Sequence, residues 1–354
     1  MSRRAVEVSD GIGQLPYSKG LMASSMTVSG LPLSETFKIA QKIEDMLRRD
    51  QRKSVTRQQL REMAVAMLRE AGGPYADVYL KWQAVEELDA PLIVLIGGAT
   101  GVGKSTAATQ LAARLGITRV ISSDAVREVL RSALSPVLMP VLHVSSFEAG
   151  SLPIELRSGA GPIVGGFIEQ VKTVSVGIEA LVARALKEKT DIIIEGAHVV
   201  PGFIGQIQQF PAPAVIAQMV LTIESEELHR NHFLARGEQG PRGGGKYLES
   251  FDKIRVIQDF IEKSALETGV PVVEAFDLDS TLQDLTAIIV DKALGGTREK
   301  DASAPRPQET ESSSVSPAGG GNSRVKSWQF LGRQKASNTP EPGGRTKKTA
   351  RTWR

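Results

Sequence analysis

Short apolar runs alternate with segments of helical periodicity through most of the chain. Residues 92–96 form an apolar, β-branched run that predicts a buried strand, and residues 106–115 predict the helix that follows it. Each further apolar run also precedes a segment of helical pattern. Strands alternating with helices predict an α/β fold, with a five-stranded parallel sheet wound on both faces. The other four predicted strands are 118–121, 191–196, 214–223 and 270–275.

The first 89 residues follow a different pattern. Two short β-like pieces, 5–8 and 21–28, surround a turn-rich segment. Amphipathic helices are predicted from about residue 34 and from a capping-box pattern at Thr56, and a third helix is predicted over 75–88. The pattern predicts a small, mostly helical accessory domain with a hairpin-like start, ahead of a second domain over 90–295.

The last residues lack any helical or strand periodicity. From 296 to 354, Pro, Ser, Gly, Thr and charged residues dominate, which predicts a disordered tail. Residues 297–354 carry a net charge of +7, so the preceding residues carry −4. The sequence pI of about 9.0 therefore reflects the tail. Only the tail offers a possible contact to nucleic acid or an acidic partner, and we predict that it is solvated.

Composition narrows the class of protein. Hydrophobic residues make up 41% and charged residues 23% of the 354, as in globular domains. No apolar run approaches the ~20 residues that span a bilayer, and no signal-peptide pattern follows the first residues, so we predict a cytoplasmic location. The chain has no cysteine, which excludes disulfides, thiolate metal sites and cysteine nucleophiles.

The strongest motif lies between the first strand and helix of the second domain. Residues 98–105 match G-x-x-x-x-G-K-[ST], and the flanking elements are those that a phosphate-binding loop requires. Glycines let successive backbone N–H groups point at a di- or triphosphate, and the helix adds its positive dipole end. Lys104 is predicted to reach the β- and γ-phosphates, and the Ser105 hydroxyl to hold Mg²⁺.

An acidic residue follows the second predicted strand. Asp124 lies where ligands bind in open α/β sheets, so it can orient or deprotonate an acceptor hydroxyl. Arg127, one turn later, can hold an anionic group of the same acceptor. The alternative is that Asp124 only caps its helix.

The strand at 191–196 ends in an acid and a glycine. Glu195 is predicted to touch the Mg²⁺ hydration shell or to position the reacting groups, and the alternative is a strand-end carboxylate without function. His198 lies just beyond it, near the predicted mouth of the site. The position of His198 is equally compatible with a substrate contact and with a structural role.

Two irregular segments are predicted to border the site. Residues 135–162 form a long loop that we assign to the acceptor side, with His143 as a structural histidine. Residues 236–246 are rich in glycine and are predicted to form a mobile lid instead of regular structure. Arg236 and Arg242 would stabilise the transferring phosphoryl group from this lid, or the lid is only a basic surface loop. Arg255, on the next helix, is predicted to face the site.

Four motifs together resemble one enzyme family, 2-phosphoglycerate kinase. The similarity covers about residues 5–292, and the Glu-Gly-x-His-x-x-Pro-Gly motif is more specific than the phosphate loop. The four segments are GGATGVGKST at 97–106, SDAVREV at 123–129, IEGAHVVPG at 194–202 and YLESFDKIRVIQD at 247–259.

The resemblance implies a fold, a reaction and a set of ligands. The fold is an adenylate-kinase-like P-loop domain behind an N-terminal module that resembles the ATP-cone, a nucleotide-binding regulatory domain. The reaction moves the γ-phosphoryl group of ATP, with Mg²⁺, to the free hydroxyl of 2-phosphoglycerate, a small-molecule substrate. Asp124 and Arg127 fall in its acceptor region, and together with Glu195, His198 and Arg255, named above from the sequence pattern, they are the expected substrate contacts. ATP would bind to Gly98, Ala99, Thr100, Gly101, Val102, Gly103, Lys104, Ser105 and Thr106.

Two other functions remain open at the level of sequence. The first is a kinase of the same fold that uses another phosphorylated or polyol acceptor. The second is an ATP-sensing regulatory protein with little turnover, whose tail would bind a partner. Sequence decides neither the oligomeric state nor which arginine of the lid acts.

Overall fold

A computed structural model of the chain describes residues 6–9, 14–152, 161–205, 214–239 and 245–302. These residues belong to one compact unit. The predicted tail lies outside the described residues from 303 onward, and its first part, 296–302, instead continues the last helix.

The central sheet confirms the predicted five parallel strands. The strands are β4 (Leu92–Gly97), β5 (Val120–Ser122), β6 (Ile192–Glu195), β7 (Val215–Thr222) and β8 (Val272–Glu274). Their order in the sheet is β5-β6-β4-β7-β8, and every neighbouring pair is parallel. β4 therefore lies in the middle, with two strands on either side.

Helices cover both faces of this sheet, as predicted. Val94 and Ile96 of β4 join one hydrophobic cluster, whereas Ile93 and Leu95 join another on the opposite face. Helix α7 begins with Pro162, a residue that suits the first turn of a helix. The helices are α5 (Lys104–Leu115), α6 (Ser123–Ala133), α7 (Pro162–Glu188), α8 (Glu226–Gln239), α9 (Gly245–Glu249), α10 (Phe251–Thr268) and α11 (Leu278–Ala302).

The N-terminal part is mostly helical and carries a small sheet. Strand β1 (Glu7–Ser9) pairs antiparallel with β2 (Gln14–Pro16) and parallel with β3 (Ser54–Thr56). Val8 therefore lies opposite both Leu15 and Val55. The capping box at Thr56 is confirmed, since Thr56 and Gln59 exchange backbone-to-side-chain hydrogen bonds of 3.1 Å. The elements are β1 (Glu7–Ser9), β2 (Gln14–Pro16), α1 (Lys19–Met26), α2 (Leu33–Arg49), β3 (Ser54–Thr56), α3 (Arg57–Glu70) and α4 (Tyr75–Glu86).

The predicted β-like piece at 21–28 is wrong, because this stretch is largely helix α1. The Ser18 side chain caps the helix by accepting a hydrogen bond from the Leu21 N–H at 3.3 Å. Met22 and Met26, spaced four residues apart, are both buried on one face of the helix. Burial of that face outweighs the local β propensity of the segment.

The N-terminal part packs against the helices of the central sheet. α1 contacts α5, and α4 contacts α11. One continuous hydrophobic cluster includes Leu47 and Trp82 of the N-terminal part together with Leu111 and Leu285. The helix after the phosphate loop is thus in direct contact with the N-terminal part.

None of the described helices has both the length and the apolar character needed to cross a membrane.

Candidate active site

The phosphate loop joins β4 to α5 and depends on three glycines with positive φ. Gly98, Gly101 and Gly103 have φ of +139°, +93° and +87°, a region that other residues rarely adopt. A Cβ on Gly98 would lie 2.3 Å from the Leu221 carbonyl oxygen, so only glycine fits against β7. Lys104 then begins α5, and its buried Nζ donates a 2.6 Å hydrogen bond to the Ala99 carbonyl. The loop is therefore closed around its own lysine.

Ser105 and Glu195 meet at the carboxyl ends of β4 and β6. The Ser105 hydroxyl donates a 2.9 Å hydrogen bond to Glu195 Oε1, and Glu195 is buried. A hydroxyl and a carboxylate are hard oxygen ligands of the kind that Mg²⁺ takes, usually with phosphate oxygens and waters completing the shell. Among the described residues, no group of three or more His, Cys, Asp or Glu could hold a metal. The pair fits a Mg²⁺ ion that is shared with a phosphate ligand.

A cavity of about 410 Å³ opens at this edge of the sheet. It lies at the end of the central strand, where the chain turns to β5 and β6 on one side and to β7 on the other. The structure brings Lys104, Ser105, Asp124, Arg127 and Glu195 together along its wall. These five residues come from three separate sequence segments, so the cavity unites the motifs predicted to bind the nucleotide and the acceptor.

Asp124 is not the cap of α6. The Ser122 hydroxyl caps the helix by accepting a 3.1 Å hydrogen bond from the Ala125 N–H, which leaves the Asp124 carboxylate 71% exposed at the cavity. Arg127 Nε lies 3.6 Å from Asp124 Oδ1. Its Nη1 donates a 2.6 Å hydrogen bond to the Val144 carbonyl. Arg127 thus ties the loop after α6 to the helix while its Nε side faces Asp124.

His198 lies beneath the cavity wall, and the prediction that it lies at the mouth of the site is wrong. The side chain is 1% exposed, and both ring nitrogens have protein partners at 2.9 Å, Ser123 Oγ and Gln170 Oε1. A carboxamide oxygen only accepts, so His198 Nε2 carries the proton and Nδ1 accepts from the serine hydroxyl. Burial lowers the pKa of His198 to about 4, which keeps the ring neutral. His198 therefore positions other groups and does not reach a substrate in this arrangement.

A buried polar network extends from His198 to the acceptor-side loop. The Gln170 amide nitrogen donates to the carbonyl oxygens of Val141 and Val144. The latter oxygen also accepts from Arg127. Sequence reasoning missed Ser123 and Gln170 as members of this network. The network joins the start of α6, the middle of α7, the loop after β6 and the loop after α6.

Gly196 allows the close approach of these elements. It has a φ of +146°, and a Cβ there would lie 1.9 Å from Ser123 Oγ. The Glu-Gly-x-His motif is thus explained locally. Glu195 faces Ser105, Gly196 leaves room for the side chain of Ser123, and His198 holds Ser123 in place by a hydrogen bond.

The acceptor-side loop is irregular, as predicted, with short helical turns at Pro140–His143 and Ala149–Ser151. His143 Nε2 lies 2.8 Å from the Leu134 carbonyl, which confirms its structural role. Phe147 is buried and meets the edge of Tyr247 with ring centroids 6.0 Å apart. Residues 153–160 of the predicted loop lie outside the described residues.

The predicted lid is more regular than expected. α8 extends through residue 239 and α9 begins at residue 245, so both ends of the segment are helical. Arg236 belongs to α8, whereas Arg242 lies outside the described residues. Lys246 Nζ lies 3.1 Å from Glu148 Oε2, which joins the end of the segment to the acceptor-side loop. Burial acts to raise the pKa of Glu148, but hydrogen bonds from Lys246 and Ser145 outweigh it and lower that pKa.

Arg255 is placed differently from the expectation that it faces the site. Its Nη1 and Nη2 donate hydrogen bonds of 2.5 and 3.2 Å to the carbonyl oxygens of Ile223 and Glu224. Arg255 is not among the residues that line the cavity. The guanidinium joins α10 to the connection between β7 and α8, so its placement is that of a positioning residue.

The parallel sheet, the glycine-lined phosphate loop and the serine–glutamate pair define a P-loop phosphotransferase. No protein-family model matches the chain. The 2-phosphoglycerate kinase of Pyrococcus furiosus is 38% identical over 288 residues, which is 80% of this chain and 93% of that protein. That of Thermococcus kodakarensis is 38% identical over 281 residues, which is 79% of this chain and 94% of that protein. The chain belongs to the 2-phosphoglycerate kinase family.

Two solved kinase structures resemble the chain weakly. A gluconokinase from Sinorhizobium meliloti 1021 is 13% identical with a TM-score of 0.38, over 60% of this chain and 97% of that one. A shikimate kinase from Acinetobacter baumannii is 19% identical with a TM-score of 0.34, over 61% of this chain and 98% of that one. The assignment of the fold rests on the observed strand order and the phosphate loop.

Proposed function

We propose that the protein transfers the γ-phosphoryl group of ATP to the free hydroxyl of 2-phosphoglycerate, giving 2,3-bisphosphoglycerate. The observation that carries the proposal is the shared cavity, in which Lys104 and Ser105 lie with Asp124 and Arg127. A phosphate donor and an anionic acceptor would both find partners there. Membership of the 2-phosphoglycerate kinase family supports the choice of acceptor.

The phosphate loop would hold the triphosphate. Its backbone N–H groups and the dipole of α5 favour negative charge, and Lys104 adds a full positive charge beside the β- and γ-phosphates. Ser105 and Glu195 would hold Mg²⁺, which when bound supplies positive charge to the phosphate oxygens. Arg236 or Arg242 would contribute further charge from the lid segment during transfer.

The acceptor would lie against α6. The hydroxyl oxygen of 2-phosphoglycerate attacks the γ-phosphorus, and the bond from that phosphorus to the β–γ bridging oxygen breaks, leaving ADP. Asp124 would take the hydroxyl proton, since its carboxylate is exposed to the cavity. The Arg127 guanidinium, whose Nε lies 3.6 Å from Asp124 Oδ1, would bind the carboxylate or phosphate of the acceptor.

The remaining parts of the chain are assigned by expectation. Residues 1–89 would form an ATP-cone-like regulatory domain, 90–295 the kinase domain, and the residues after helix α11 a solvated basic tail. We expect the enzyme to work in the cytoplasm on a small-molecule substrate.

Two measurements on the purified full chain test the proposal. ADP release from Mg·ATP is followed with 2-phosphoglycerate, with 3-phosphoglycerate and with phosphorylated polyols, and ³¹P NMR identifies the product. We expect stimulation by 2-phosphoglycerate with a bisphosphorylated product, and loss of turnover by a factor of about 100 or more in Lys104→Ala and Asp124→Asn. Stimulation by another acceptor in place of 2-phosphoglycerate would show that the reaction is correct and the assigned substrate is wrong. ATP binding without stimulation by any acceptor would favour the ATP sensor.

A further inference from the structure

Two histidines of α8 contact the phosphate loop from the side of the lid segment. His229 Nε2 lies 2.8 Å from the Thr100 carbonyl oxygen, and His232 Nδ1 lies 2.9 Å from the Gly101 carbonyl oxygen. A carbonyl oxygen only accepts, so each of these ring nitrogens donates. Neither histidine belongs to a motif that pointed to the site. One turn of helix thus places a donor on each of two successive peptide groups of the loop.

We propose that His229 and His232 are positioning residues for phosphate binding, which hold and polarise the peptide groups that face the nucleotide. The Thr100 carbonyl shares its peptide group with the Gly101 N–H, and the Gly101 carbonyl shares its own with the Val102 N–H. A hydrogen bond accepted by a carbonyl makes the N–H of the same peptide a stronger donor. Those N–H groups belong to the part of the loop that cradles phosphate.

The ring of His229 is fixed by aromatic neighbours. It stacks on Phe233 with centroids 5.1 Å apart and meets Phe251 at 5.4 Å. Phe233 stacks in turn on Tyr247 at 5.2 Å. His229 is fully buried, and burial lowers its pKa to about 4. The donor to the phosphate loop is therefore a neutral imidazole of fixed orientation.

Gly101 provides an independent sign that α8 and the loop are fitted to each other. A Cβ on Gly101 would lie 2.4 Å from Phe233 Cζ and 2.9 Å from His229 Nε2. Gly101 is thus required both by its positive φ and by the close approach of α8. Because α8 also carries Arg236, the same helix connects the phosphate loop to the lid segment.

Glutamine and asparagine variants separate the effect of the hydrogen-bond donor from the effect of the imidazole ring. A glutamine places its amide nitrogen near the position of His Nε2, and an asparagine places it near that of His Nδ1. His229→Gln and His232→Asn therefore retain the donors. His229→Phe keeps an aromatic ring without a donor, and His232→Ala removes the donor from a half-buried position at which the fold is easily kept.

The test is the dissociation constant for Mg·ATP, measured by calorimetry on the full chain, together with kcat and both KM values. We expect affinity within about threefold of wild type in His229→Gln and His232→Asn, and about 5- to 10-fold weaker binding in His229→Phe and His232→Ala. The KM for 2-phosphoglycerate should change less than twofold, since neither histidine lines the acceptor side of the cavity.

Two outcomes would overturn the inference. Either the donor-free variants bind Mg·ATP as wild type does, or the amide variants bind as weakly as the donor-free ones. The His232 pair decides the matter if His229→Phe fails to fold. The inference rests on the proposed binding of ATP by this loop. Failure of the wild-type chain to bind ATP would therefore refute the proposed function itself, whereas normal wild-type binding with unaffected variants refutes only the role of the histidines.

Discussion

Acid should destabilise this protein through two buried histidines well before its carboxylates titrate. Burial lowers the pKa of His198 and of His229 from the ordinary value of 6.5 to about 4. Between these values the unfolded chain binds a proton at each position and the folded chain does not. Stability is therefore complete above about pH 6.5 and falls as the pH is lowered toward 4.

The size of the effect follows from the two pKa values. At pH 5, each histidine lowers the free energy of unfolding by about 2 kcal/mol relative to pH 7.5, and the two together by about 4 kcal/mol. Ordinary carboxyl groups are still largely ionised at pH 5, so this window isolates the histidines. A loss of this size is a large fraction of the stability of a typical domain.

Urea unfolding at pH 7.5 and 5.0, at constant ionic strength, measures the effect. Wild type is compared with His198→Gln, with His229→Gln and with the double variant, since glutamine keeps a donor at Nε2 and does not titrate. Each single variant should lose about 2 kcal/mol less than wild type between the two pH values. The other two histidines, His143 and His232, are present in every variant, so they do not contribute to the differences between variants. Equal losses in wild type and the double variant would refute the reasoning.

Three further changes test single contacts. Gly196→Ala introduces a methyl group 1.9 Å from a buried hydroxyl at a φ of +146°, so we expect a loss of at least about 3 kcal/mol in unfolding free energy. Gly161→Ala, with no neighbour within 4 Å, is its matched control and should lose under about 1 kcal/mol; equal losses contradict the argument. Thr56→Ala removes the capping box and should cost about 1 kcal/mol, and unchanged denaturation would show that the cap is dispensable. Lys246→Ala breaks the ion pair with Glu148, which should shift stability by less than about 1 kcal/mol but raise the KM for 2-phosphoglycerate. An unchanged KM would separate the loop from acceptor binding.

The central sheet was predictable because its signals are local. Residues 92–96 and 192–194 are apolar runs followed within two residues by a glycine, and each forms a parallel strand. Segment 21–28 was assigned wrongly because its small and polar residues give little periodicity, and only burial of Met22 and Met26 against the rest of the N-terminal part selects the helix. Tertiary packing therefore decided where the local pattern was weak.

The site divides in a similar way. Lys104, Ser105 and Glu195 follow from spacing alone, since strand ends and the phosphate loop bring such residues to one edge of the sheet. Gln170 was missed because it lies inside a long helix, far along the chain from His198. The available signal was a carboxamide on the buried face of α7, where an apolar residue is expected. Contacts between distant segments leave only such isolated polar residues in the pattern.

The two buried histidines share a physical logic that distinguishes them from the charged residues of the site. His198 holds Ser123 and Gln170 on the proposed acceptor side, and His229 holds the Thr100 carbonyl of the phosphate loop. Burial is the main cause of the lowered pKa of His198; the negative charge of Asp124 opposes it, and the positive charges of Arg127 and Lys104 add to it. A neutral donor can thus hold the wall of the cavity without adding charge to a site whose lysine and arginine must balance the phosphates. We expect the same neutrality to make the protein sensitive to acid, because protonating either ring would place a charge in the core.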